Sequence, residues 1–238
     1  MPDFAEIWSY LAQGPLLWLT VTLLAYVLAD FIAERLGRPP WANSVLMSVL
    51  LLAILLQATG TPYATYFEGA QFVHFLLGPA TVALAVPLFL QGARLKRAVL
   101  PVLAGVVTGS SVAVVSALAI ARAMGVDAAT LASLAPKSTT APVAIGIAQS
   151  LGGSPTLAAV LVILTGITGA LVATPLLNVL GVRDWRARGL AVGTAAHGIG
   201  TARAFQVHST AGAFAGIGMG LNAILTAVLA PAVLRFFL

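Results

Sequence analysis

Charged side chains in this sequence gather into a few short clusters, and the stretches between them stay apolar for longer than a buried core helix needs. Leu16 to Ile32 holds one charge, Asp30, while Ala98 to Ala121 and Pro155 to Leu180 hold none. A bilayer core is crossed by about 20 mostly apolar residues in a helix. In lipid every backbone polar group must be satisfied internally, which leaves helices as the default for such runs. The composition agrees: of 238 residues 60% are hydrophobic and 8% charged, where a soluble domain carries roughly a quarter. That excludes an ordinary soluble domain, and it excludes disorder, which needs low hydrophobicity and many charges. The net charge of +5 comes from too few residues to describe a nucleic-acid binder. With no cysteine and three histidines, disulfides and thiolate ligands are absent and no metal or cofactor is expected.

The expected fold is therefore all-α and polytopic, one integral membrane domain over residues 1–238. Met1 to Ser9 carries Asp3 and Glu6 and no basic residue, so it lacks the positive leader of a cleavable signal peptide and the first apolar run is expected as a retained helix. Six spans are expected, over Leu16–Ile32, Trp41–Ala58, Ala70–Leu90, Ala98–Ala121, Pro155–Leu180 and Ala211–Leu234. Thr65 with Glu68 three residues on fits a capping box opening the third. Leu77-Gly78-Pro79-Ala80-Thr81 resembles Leu134-Ala135-Pro136-Lys137-Ser138, and Pro87 marks a second kink in the same span.

Two further stretches, Leu131 to Gly153 and Gly189 to Phe205, are apolar enough for membrane depth but broken by Pro, Gly and hydroxyl residues, and each holds a cation. The basic clusters Arg35/Arg38, Arg94/Lys96/Arg97 and Arg183/Arg186/Arg188 should all face the cytoplasm. The third does so only if the Lys137 stretch enters and leaves on one side. This parity gives six full spans plus two re-entrant hairpins, the Lys137 one from outside and the His197 one from the cytoplasm, with both chain ends extracytoplasmic. Full crossing of both stretches is the alternative. Irregular backbone at that depth must be buried in protein or line a watery cavity. Two hairpins of opposite entry, each followed by a long Gly-rich helix, describe an inverted repeat with a site at the midplane.

The chemistry concentrates in those stretches. Lys137 sits in Pro136-Lys137-Ser138-Thr139-Thr140-Ala141-Pro142, where two prolines free backbone amides and three hydroxyls add donors; a helix starting near Val143 would aim its positive end at an anion. The alternative is a lysine that snorkels to the interface. In the second stretch Gly198 and Gly200 allow positive φ or close backbone approach. His197 can hold a proton near neutral pH, Thr201 adds a hydroxyl, and Arg203 keeps its charge. A satisfied structural histidine and a headgroup-anchoring arginine are the plainer alternatives. Gly212, Gly216 and Gly220, Gly105 with Gly109, and Gly166 with Ala170 read as faces for close helix packing. Asn222, a buried amide, serves as site wall or as structural glue. There is no P-loop, nucleophile elbow or zinc-protease motif, and Ser138 beside Lys137 does not make a dyad on regular backbone, so no enzyme is expected.

The strings SLAPKSTTAPVAIGIAQSLGG (Ser133 to Gly153), TGITGALVATPLL (Thr165 to Leu177), ARGLAVGTAAHGIGTARAF (Ala187 to Phe205) and GAFAGIGMGLNAILTA (Gly212 to Ala227), with LGPATVALAVPL (Leu77 to Leu88) upstream, resemble the LrgB/CidB family and the related domain of the plastidic glycolate/glycerate translocator. Ala141 and Ala195 stand where another hydroxyl is expected. The resemblance implies a multi-pass protein of the bacterial inner membrane, with two divergent expectations. One is a holin- or antiholin-like regulator of murein hydrolase activity and lysis, working with a small LrgA/CidA-type membrane partner. The other is a transporter of small carboxylates such as pyruvate, glycolate or glycerate. The residues favour the second, since a holin has little use for a lysine-hydroxyl hairpin facing an arginine-histidine one. The expected partners are a small organic anion, the bilayer, a second copy of the chain and/or the small partner protein. In the expected mechanism Lys137 and Arg203 neutralise the carboxylate, Ser138, Thr139, Thr140 and the 198–201 backbone bind its hydroxyl or keto oxygen, and His197 carries a coupled proton.

Overall fold

The structure, a computed structural model, describes residues 14–76 and 98–238, together with 79, 82, 83 and 89. The expected N-terminal segment, ten residues of the third span including Pro87, and the Arg94/Lys96/Arg97 cluster lie outside the described residues. Among the described residues all regular structure is helical: α1 (Pro15–Arg35), α2 (Ser44–Thr59), α3 (Tyr63–Phe75), α4 (Val99–Ala123), α5 (Ala128–Leu134), α6 (Ala141–Ser150), α7 (Pro155–Val179), α8 (Trp185–Val207) and α9 (Ser209–Leu234). Of these, α1, α4, α7 and α9 are long and apolar enough to cross a bilayer, which makes this a membrane protein. The contacts divide the chain into two compact units, Met1–Ala80 and Thr81–Leu238.

In the first unit, the charged turn after α1 is tied together by the Arg38 guanidinium, which donates to both Asp30 carboxylate oxygens at 2.8 and 3.1 Å, while the Ser44 hydroxyl donates to the same carboxylate. Asn43 caps α2 by accepting from the amides of Val45 and Leu46. The cap starts α2 three residues after the expected Trp41 and leaves it 16 residues long, short of a full perpendicular span. The expected capping box is not used. The α3 helix begins at Tyr63, and the Tyr66 amide already bonds the Pro62 carbonyl, so Thr65 lies inside the helix. Gly69 of α3 lets that helix close on Pro15 and the fully buried Trp18 of α1, and Trp18 meets Tyr66 edge to face at 5.8 Å.

The second unit is built on α4, α7 and α9, which match the expected spans to within two residues at each end. Between α4 and α7 the chain folds back on itself. Helix α5 runs to Leu134, a turn follows, and α6 returns; the Ser154 amide then donates to the Ser133 hydroxyl at 2.8 Å, so the start of α7 lies beside the last turn of α5. Leu131, Ala132, Ala135 and Ile147 pack with Leu118 and Ala121 at the end of α4 and with Ala230 and Leu234 at the end of α9. The lysine hairpin thus enters from the end of the unit where α4 and α9 finish and α7 begins.

Helix α8 is a second hairpin. Its helical course is broken at Ala196 (φ −126°, ψ 17°) and His197 (φ 41°, ψ −134°). The ring of Trp185 at its start stacks on that of His208 just past its end, 4.8 Å apart and nearly parallel. The first arm runs alongside α9 in the same direction, with Gly189 against Ala211 and Gly193 against Ala215. The second arm runs against it, with Phe205 on Gly212 and Thr201 beside Met219. Arg188 donates to the carbonyls of Val182 and Thr174 near the end of α7. The histidine hairpin therefore enters from the end where α7 finishes and α9 begins, opposite to the lysine hairpin. Asp184, which caps the first arm, is pulled down to about 2 by the hydrogen bond from the Arg186 side chain.

The positive φ expected of Gly198 or Gly200 falls instead on His197. Gly200 is needed for space, since a Cβ there would press on Ala196 and Val192 within about 3 Å, while Gly198 faces Met219 with room to spare. Gly105 and Gly109 take Leu190 and Thr194 of α8, and Gly166 takes the His197 ring, so these glycines serve packing.

Candidate functional site at the hairpin tips

The two tips reach the same level of the second unit, the lysine tip midway along α9 and the histidine tip midway along α7. Asn222, at the middle of α9 and wholly buried, donates from Nδ2 to the Ser138 carbonyl at 2.8 Å. Its Oδ1 accepts from Ser110, at the middle of α4, and from Thr226 at 3.1 Å. Asn222 is thus the glue of the two sequence readings, and all its polar atoms are used in pinning the lysine tip to the centre of the unit. Pro136, Ser138, Thr139 and Thr140 are buried there. Lys137 is partly exposed, and its Nζ donates to the Ser138 hydroxyl at 3.3 Å. The two adjacent side chains do meet, contrary to the expectation for regular backbone, because residues 135–139 form turns between two short helices.

Thr140 stands at the N-cap of α6 but does not cap it. Its hydroxyl is buried and has no hydrogen-bond partner among the described residues. Pro142 follows at the start of the helix, where a missing amide hydrogen costs nothing. The result is a buried, uncapped helix N-terminus with an idle hydroxyl and a lysine three residues before it. Unsatisfied amides and the positive end of the helix favour an anion at such a place.

At the other tip, the His197 ring lies in the notch left by Gly166 of α7. Its Nε2 is 2.8 Å from the Val162 carbonyl; a carbonyl only accepts, so Nε2 carries the proton. The Thr201 hydroxyl donates to the His197 carbonyl at 2.7 Å. A non-glycine residue at positive φ with ψ near −134° is strained, and such strain concentrates at functional tips. Lys137 lies within electrostatic reach of the imidazole.

Of the expected set, Pro136, Lys137, Ser138, Thr139 and Thr140 form the lysine tip with Asn222, and His197, Gly198, Gly200 and Thr201 form the histidine tip. Arg203 lies elsewhere. Six residues past His197 on the second arm, about 9 Å along a helix, it lines a cavity with Arg188, Trp185 and Thr174 and donates to Gln206 at 3.4 Å. The helix turns Arg203 toward the mouth of the histidine hairpin, so it is not grouped with Lys137. Three contributors were not singled out from the sequence: Ser110, Thr226 and the Val162 carbonyl. Ser110 was legible as one of two hydroxyls following Gly109 in an otherwise apolar run, whereas a backbone carbonyl carries no sequence signal.

A model of the LrgB-like family matches residues 22–236 of this chain. The uncharacterized protein YwbG of Bacillus subtilis is 34% identical over 92% of this chain and 96% of its own length. The holin-like protein CidB of Staphylococcus epidermidis is 31% identical over 93% of this chain and 96% of its own length, and the holin-like protein CidB of Staphylococcus aureus is 30% identical over the same shares. No solved structure matches.

Proposed function

On the premise that the chain belongs to the LrgB-like family, we propose that it is a multi-pass carrier of the bacterial inner membrane that moves small carboxylates by alternating access. The observation that carries this reading is that two hairpin tips of opposite entry reach the middle of α9 and α7, with Lys137 beside an uncapped helix N-terminus. In a bilayer the two hairpins would be re-entrant, giving the inverted-repeat plan in which substrate sites lie at the midplane. The carboxylate binds between Lys137 Nζ and the amides at the start of α6, and the hydroxyls of Ser138 and Thr140 take the remaining oxygen of a two- or three-carbon substrate. Arg203 and Arg188 line the approach at the basic end. Hairpin and α9 touch backbone to backbone at Gly189 and Gly193, so the histidine hairpin and α9 move as one piece.

The names of the CidB relatives favour a second reading, a holin-like protein. One experiment separates the two. Purified protein in liposomes loaded with glycolate and with calcein is expected to show saturable counterflow of radiolabelled glycolate while calcein stays inside. Release of calcein without counterflow would support the holin-like reading and reject the carrier.

A further inference from the structure

Among the described residues Lys137 has no acidic partner of the kind a fixed cation at mid-depth needs. The ion pairs among the described residues lie elsewhere, joining Arg38 to Asp30 and Glu34 and Arg186 to Asp184. Around the tip, α4 offers Ser110, α9 offers Asn222 and Thr226, α7 offers the Val162 carbonyl, and α5 and α6 offer no titratable group. Among the described residues the charge of Lys137 reaches the imidazole of His197 on α8, whose Nε2 proton is held by Val162. The start of α6 adds the positive end of a helix. An ammonium here stands near a helix N-terminus, with no anion beside it among the described residues. Charging it at this depth is costly, and among the described residues no anion offsets that before a carboxylate arrives. Lysine, unlike arginine, gives up its proton in such surroundings.

We propose that the chain is a proton–carboxylate symporter in which Lys137, and not His197, carries the proton. The neutral amine of the empty site takes one proton from the medium as one carboxylate binds, and the resulting ammonium–carboxylate pair crosses with no net charge. On the far side the carboxylate leaves, the ammonium loses its proton to water, and the neutral amine returns. This rests on the carrier reading above and specifies its driving ion.

Proteoliposomes containing the wild-type chain, with trapped pyranine as the internal pH reporter, test it against protein-free liposomes. Uptake of radiolabelled glycolate is expected to acidify the interior. A potential set by valinomycin and an about tenfold potassium gradient should leave glycolate accumulation unchanged, where a singly charged anion moving alone would shift about tenfold. Lys137→Arg, permanently charged, is expected to lose acidification and become sensitive to the potential, while His197→Asn stays proton-coupled at whatever rate it runs. Glycolate uptake that follows the potential without acidification, or coupling that survives in Lys137→Arg, overturns the proposal and leaves the carrier standing. Absence of saturable uptake of any two- to four-carbon carboxylate overturns the carrier and the coupling together.

Discussion

Lys137→Ala is expected to slow glycolate counterflow by about a hundredfold or more, with the purified variant still folded. Truncating one partner of a buried, hydrogen-bonded charge pair costs about 2–5 kcal/mol, and every 1.4 kcal/mol is about tenfold in an equilibrium constant. The fold itself asks little of this side chain, since its one hydrogen bond among the described residues is the 3.3 Å contact to Ser138. Asn222 pins the tip through the Ser138 carbonyl, which the substitution leaves alone. Counterflow and a thermal melt on the same preparation check both halves. Wild-type counterflow in Lys137→Ala would remove this residue from the site.

The second large effect is on stability. Gly193→Ala is expected to destabilise the protein by at least about 3 kcal/mol, the upper range for overpacking. The added Cβ would be driven into the Ala215 carbonyl, where neither partner is a side chain that can turn away. Gly189 meets Ala211 in the same manner one turn earlier, so the first arm of the histidine hairpin lies on α9 at backbone distance over its length. Gly146→Ala in α6 is the matched control. Nothing lies within 4 Å of its added Cβ, and alanine in place of glycine inside a helix gains up to about 1 kcal/mol. Denaturant titration in mixed micelles should separate the two variants, and equal stabilities would contradict the packing described.

Much of this was legible in the sequence, for identifiable reasons. The long helices α4, α7 and α9 follow from charge-free apolar runs closed by a polar or proline residue, as where Ser154 caps α7 and Pro155 opens it. The lysine tip was marked by prolines flanking hydroxyls, a pattern with no role in a regular helix. What escaped belongs to tertiary placement. The Gly198–Gly200 pair suggested where the backbone would turn, but the turn fell on His197, whose ring is held by Val162 and accommodated by Gly166. Helical phase then carried Arg203 toward Arg188 and Trp185, and phase beyond a break cannot be read without locating the break. Gly189 and Gly193, which press on alanine carbonyls of α9, are themselves spaced as GxxxG, but they sit inside the stretch read for its chemistry and were not singled out for packing. The Asp30–Arg38 pair likewise ties α1 to its own exit turn, where the sequence showed only a lone acid and a member of a basic cluster.

Sided labelling of single cysteines tests the opposite entry of the two hairpins most directly, and a chain without native cysteine needs no prior substitutions. Asp127→Cys and Thr156→Cys flank the lysine hairpin, and Arg183→Cys and Ser209→Cys flank the histidine hairpin; all four native residues are exposed. With an impermeant maleimide on oriented vesicles, positions 127 and 156 are expected to react from one side and 183 and 209 from the other. If 127 and 156 react from opposite sides, or 183 and 209 do, that stretch crosses the membrane, and the site formed by two hairpins entering from opposite faces does not exist.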